Sequence, residues 1–166
     1  MMFREWWDQG ESMTKDRIES ARVRRLVRAK PKECFINAMR VVWDVPEYED
    51  ADYVEGVIVT LGDLVTEHGW VEMDAVIVDP TLLEDDVVYF PGLRFTGGPG
   101  ISKAIELPKP RYAQDLPILN RFGCEGIKCP EFLAAWIAAY RHVGMEEMAR
   151  WYEERKRRFA AEKVAV

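Results

Sequence analysis

At 166 residues the chain has room for one ordinary domain. It is 48% hydrophobic and 31% charged, with 6 Trp, 6 Tyr and 7 Phe, which excludes intrinsic disorder as a description of the whole. The net charge of -6 argues against non-specific nucleic-acid binding, and no apolar run nears the roughly 18 residues of a membrane span.

Met1 to Asp8 lacks the basic flank and apolar stretch of a secretory signal, and three Cys are few. Both point to reduced thiols in a cytoplasmic setting. Ser12 to Ala29, free of Gly and Pro, reads as a surface helix with a concentrated positive segment from Arg22 to Lys32. That segment is ordinarily a solvated face, and alternatively a dock for an anionic ligand or acidic partner. Pro31 ends it and can open a second helix, Glu33 to Trp43, with Phe35, Ala38, Met39, Val42 and Trp43 along one side.

Asp44 to Asp52 is acidic and reads as a solvent loop. Strands are expected at Tyr53–Leu61, Leu64–Met73 and Ala75–Asp79, with a further short one at Val87–Phe90. Pro91 to Pro117 reads as loops around at most one strand, and Gly97-Gly98-Pro99-Gly100 as a flexible flap. Pro130 opens a helix with the stripe Phe132, Leu133, Trp136, Ile137 and Tyr140, and a last helix follows Gly144. The expectation is a single α+β domain over 1–166: a core at 31–90, a loop-rich stretch at 91–129 and C-terminal helices at 130–160.

Three residues stand out for chemistry. Cys34 falls in the first turn of the second helix, where unpaired N–H groups and the helix dipole favour a thiolate. On its own, a buried structural Cys is the commoner outcome. His68 alternates onto one strand face with Leu64, Thr66 and Trp70. If Leu64–Met73 and Ala75–Asp79 form a hairpin turning at Met73-Asp74, His68 stands directly opposite Asp79. A one-residue slip would send the two to opposite faces. Cys, His and Asp then supply a nucleophile, a general base and a group that orients the base.

The ordered set Glu33-Cys34-Phe35-Ile36-Asn37-Ala38, His68-Gly69-Trp70-Val71-Glu72 and Val78-Asp79-Pro80-Thr81 resembles the transglutaminase-like branch of the papain-like cysteine hydrolases. The matches fall within residues 31–81. The resemblance implies a papain-like fold, with a Cys-bearing core helix packed on a small antiparallel sheet. It also implies Cys34 as nucleophile, His68 as general base and acid, and Asp79 as the residue orienting His68. Lys32 and Glu33 stand where the family often has a small or aromatic residue before the Cys. Arylamine acetyltransferases share the residue order and a Cys-Phe start but are much longer.

The Cys34 backbone N–H is one oxyanion donor, and Asn37, Tyr53, Trp6 and Trp7 are candidates for a second. Trp70 is a further candidate for substrate contact. A zinc site drawn from Cys34, His68, Asp79, Cys124, Cys129 and His142 lacks paired ligand spacing, so no metal or other cofactor is expected. A Cys124–Cys129 bridge is a minor reading in a reducing compartment. The leading expectation is a cysteine hydrolase or acyltransferase acting on a peptide, a protein side chain or a small acyl substrate. The alternative is a catalytically idle papain-like protein that binds a protein partner through the 22–32 face or the acidic 44–52 loop. A small protein of either kind would suit a bacterium or a phage.

Overall fold

The computed structural model describes residues 13–108, 116–122 and 128–164, the last three without their side chains. Five strands form one sheet: β1 (Thr14–Lys15), β2 (Asp52–Thr60), β3 (Leu64–Met73), β4 (Val76–Val78) and β5 (Val88–Thr96), in the order β1-β4-β3-β2-β5. All pairings are antiparallel except β1 with β4, so the sheet is mixed rather than wholly antiparallel as expected. The helices are α1 (Arg17–Leu26), α2 (Cys34–Asp44), α3 (Gly97–Ile105), α4 (Pro130–His142) and α5 (Glu146–Val164). The mixture of helices and sheet is of the α+β class. Among the described residues no helix is long and apolar enough to cross a membrane.

Alternation along β2 sorts the core. Tyr53, Val57 and Val59 face the helices: α1, α2 and α3 close over Tyr53 and Val71, and α4 with α5 closes over Val57 and Val59. Val54 and Ile58 point the other way and pack with Trp70 and Ile77, covered by Leu82, Val87 and Tyr89. Pro130 occupies the first turn of α4, where its missing N–H leaves no bond unmade. Gly144, at φ 75°, takes the left-handed turn that separates α4 from α5.

The structure also departs from the sequence expectations within individual elements. The first helix starts only at Arg17, because Asp16 caps it by accepting the Glu19 N–H at 2.8 Å, and the residues before it pair with β4. The 44–52 stretch contains a 3-10 helix at Pro46–Tyr48, and Tyr48 is buried with its hydroxyl donated to Glu19. β5 continues through Pro91 to Thr96. It is an edge strand with a bulge opposite Glu55 and Gly56, and there a proline costs the ladder nothing. The Gly97–Gly100 stretch is the first turn of α3 rather than a flap. Pro99 needs no N–H there, and Gly98 lies so close to the Trp43 indole that a Cβ would approach it to 3.0 Å.

Candidate active site

The β3–β4 hairpin places the imidazole and the carboxylate. Its turn is Asp74-Ala75, both at positive φ (51° and 63°), which matches strand twist in a two-residue hairpin. The register is therefore Val71↔Val78, Glu72↔Ile77 and Met73↔Val76, displaced by two residues from the expected one. A displacement of two preserves the face. Continuing the ladder, Asp79 falls level with Trp70 and diagonal to His68, within reach of two polar side chains. His68 Nε2 and Asp79 Oδ2 are 2.8 Å apart.

Asp79 is fully buried and each of its oxygens is occupied. Oδ1 accepts the N–H groups of Thr81 (2.8 Å) and Leu82 (3.0 Å), an Asx turn that closes the chain on itself after Pro80. Oδ2 accepts the Tyr89 hydroxyl at 2.8 Å as well as the His68 ring. The Asp79 N–H is donated to the buried Ser20 hydroxyl of α1 at 2.9 Å. Ser20 and Tyr89 are thus parts of the site that sequence reasoning missed. Neither lies in a recognisable motif, and only the packing of α1 and β5 brings them there.

Cys34 arrives from the other side. It is the first residue of α2 and is partly open to solvent. Gly69, next to His68, lets the helix start come close: a Cβ at Gly69 would stand 2.9 Å from Phe35 Cα and 3.2 Å from Phe35 N. β4 borders β3 only at 71–73, so among the described residues no strand flanks His68 on that side. The Cys34 thiol consequently lies in hydrogen-bonding and Coulombic reach of the His68 ring. With Nε2 directed at Asp79, Nδ1 is the nitrogen left for sulfur. A glycine inside a strand signals close backbone approach, and that signal was available in the sequence.

Electrostatics couples the three groups. Burial alone would push the His68 imidazole down. The Asp79 charge and hydrogen bond, then the Cys34 contact, outweigh burial and raise it to about 9. Burial would likewise push the Asp79 carboxyl up, but the His68 charge and the hydrogen bonds from His68, Leu82 and Thr81 hold it below the ordinary carboxylate range. The pair is thereby held as imidazolium and carboxylate at neutral pH. The first-turn N–H groups of α2, which have no acceptor within the helix, belong to Cys34 and the residues that follow it.

The other candidates occupy structural places. Asn37 is buried and clamps Lys30, accepting its N–H (3.1 Å) and donating to its carbonyl (2.7 Å), and also donates to Thr81 Oγ1 at 3.0 Å. Tyr53 is fully buried within Coulombic reach of Cys34, its hydroxyl donated to Glu55 at 2.7 Å. Trp70 is a core side chain stacked near His68 (ring centroids 6.4 Å apart), with its indole N–H donated to Glu72 at 2.9 Å. Those donors are engaged within the protein. Trp6, Trp7 and Cys124 lie outside the described residues. Cys129 is buried, its thiol pushed up to about 12 chiefly by burial. Among the described residues, no three His, Cys, Asp or Glu side chains gather closely enough to hold a metal ion. No protein-family model, curated protein or solved structure matches the chain.

Proposed function

We propose that the chain is a cysteine-dependent hydrolase or acyltransferase, and that its α2-on-sheet core is a compact form of the transglutaminase-like, papain-like fold. The observation that carries this reading is one imidazole held at 2.8 Å from Asp79 through Nε2 while sharing a contact with the Cys34 thiol. The Cys34 thiolate attacks the carbonyl carbon of an amide, ester or thioester. A carbon–sulfur bond forms, and the carbonyl oxygen takes the negative charge, stabilised by first-turn N–H groups of α2. His68, protonated through its coupling to Asp79, gives its proton to the leaving group as that bond breaks. The neutral ring then takes a proton from water or an acceptor amine, which attacks the thioester and releases the acyl group. Thiolate and imidazolium are restored. Asp79 stays ionised throughout and keeps Nδ1 aimed at sulfur.

The test is covalent. p-Nitrophenyl acetate should add one acetyl group to Cys34, seen by intact mass and peptide mapping, and iodoacetamide should label Cys34 far faster than Cys129 at neutral pH. Cys34→Ala removes both products. Labelling of Cys34 at the rate of an ordinary thiol, unaffected by His68→Ala, would refute an activated nucleophile.

A further inference from the structure

The last turn of α1 and the connection from it to α2 carry a charge pattern opposite to that of the whole chain. Residues 24–33 hold five cations (Arg24, Arg25, Arg28, Lys30 and Lys32) against one acid, Glu33, in a chain of net charge -6. Arg22, just before them, is neutralised by Glu19 and Glu47. Arg25, Arg28 and Lys32 are exposed and, among the described residues, have no acidic partner within 4.0 Å. Lys30 has only Glu33, at 3.8 Å.

This loop is wired to the site at both ends. Asn37, one turn along α2 from Cys34, holds the Lys30 N–H and carbonyl. Arg24 donates to the carbonyl of Thr81 at 3.1 Å, two residues beyond Asp79, and Thr81 is also tied to Asn37. The backbone of this segment is therefore anchored beside the start of α2, with Lys32 two residues from Cys34 in the chain. Arg28 and Lys32 also sit at φ 50° and 65°, the left-handed region that favours Gly or Asn.

We propose that this loop binds an anionic group of the substrate, so that the Cys34 site takes an acyl compound bearing a carboxylate or phosphate close to the scissile carbonyl. The inference rests on the reading of Cys34 as nucleophile. Guanidinium groups pair with such oxyanions in fork geometry, and uncompensated cations near a reacting group raise the local concentration of an anion.

Iodoacetate and iodoacetamide test it on the full chain, because they share a leaving group and differ by one negative charge. The readout is the ratio of their alkylation rates at Cys34, in which any change in thiolate population cancels. The double variant Arg28→Asn with Lys32→Asn removes two charges while keeping residues that accept left-handed backbone. The iodoacetate-to-iodoacetamide ratio should fall about fivefold at low ionic strength, and the wild-type ratio should decline toward the variant's as salt is raised. Lys103→Asn, in α3, should leave the ratio unchanged. A ratio unaltered by the double variant, or lowered equally by Lys103→Asn, overturns the proposal. Inorganic phosphate and glutarate, added as competitors, identify the oxyanion by which slows iodoacetate at the lower concentration; protection by neither also overturns it. If iodoacetamide labels Cys34 only as an ordinary thiol, the nucleophile reading fails while the ratio still reports on the loop.

Discussion

Replacing Gly69 with alanine sets a methyl group against the start of α2. The added Cβ would meet Phe35 Cα at 2.9 Å, Phe35 Cδ1 at 2.9 Å and Phe35 N at 3.2 Å. The ring can turn aside, but the two backbone atoms cannot. Since carbon atoms pack at about 3.5–4.0 Å, the first turn of α2 must retreat by about half an ångström or more. Overpacking of this kind costs about 1–3 kcal/mol of stability. The retreat also carries Cys34 away from the His68 ring. Misplacing reacting groups by about 1 Å costs on the order of 100-fold, so roughly a tenfold loss of Cys34 alkylation rate is expected near neutral pH. Urea unfolding and iodoacetamide labelling of the same preparation separate the two effects, because alkylation below the unfolding transition reports only on the site. A Gly69→Ala protein that labels at the wild-type rate while losing stability would show that the helix start does not set the thiol–imidazole contact.

Four further outcomes are expected. Asp79→Asn removes the charge that raises His68 and offers an N–H where an acceptor stood, so the ring takes the wrong tautomer and labelling of Cys34 at neutral pH falls by at least tenfold. In the wild type the coupling of His68 stabilises the fold fully below about 6.5 and is lost as pH rises through about 9. Urea unfolding across pH 6–10 should show that decline, and Asp79→Asn should flatten it. Tyr89→Phe deletes one donor to Asp79 Oδ2, which costs about 1–2 kcal/mol. It leaves the carboxylate a stronger partner for His68, so the imidazole titrates higher; proton NMR can follow this because the chain has only two His. Glu55, fully buried in β2, accepts the Tyr53 hydroxyl and the N–H groups of Ile118 and Leu119, yet burial raises it to about 7. The folded chain then holds a proton that the unfolded chain releases near 4.5, so stability declines between about 4.5 and 7. Glu55→Gln should remove that decline in unfolding curves measured at pH 4.5 to 8.

Local chemistry was legible wherever one element sufficed. Pro130 opens a helix because its ring suits a first turn, and the Phe132–Trp136 stripe repeats at helical spacing. Cys34 starts α2 within one residue of the expected boundary. The Val- and Ile-rich run of β2 and the alternation of β3 follow from side-chain geometry alone. Even the shared face of His68 and Asp79 was readable, because parity survives a two-residue change of register.

What the sequence left open depended on atoms far apart along the chain. The turn at Asp74-Ala75 needed two residues without glycine at positive φ, which no local rule favours, and with it went the direct pairing of His68 and Asp79. Pro91 and the glycines at 97–100 read as loop until an edge position and the Trp43 indole gave each a place. Tyr89 and Ser20 reach Asp79 from elements 10 and 59 residues away. Periodicity and turn chemistry act over a few residues and so can be read from order alone. A buried carboxylate with four acceptor bonds is decided by where whole elements meet, which only the packed chain specifies.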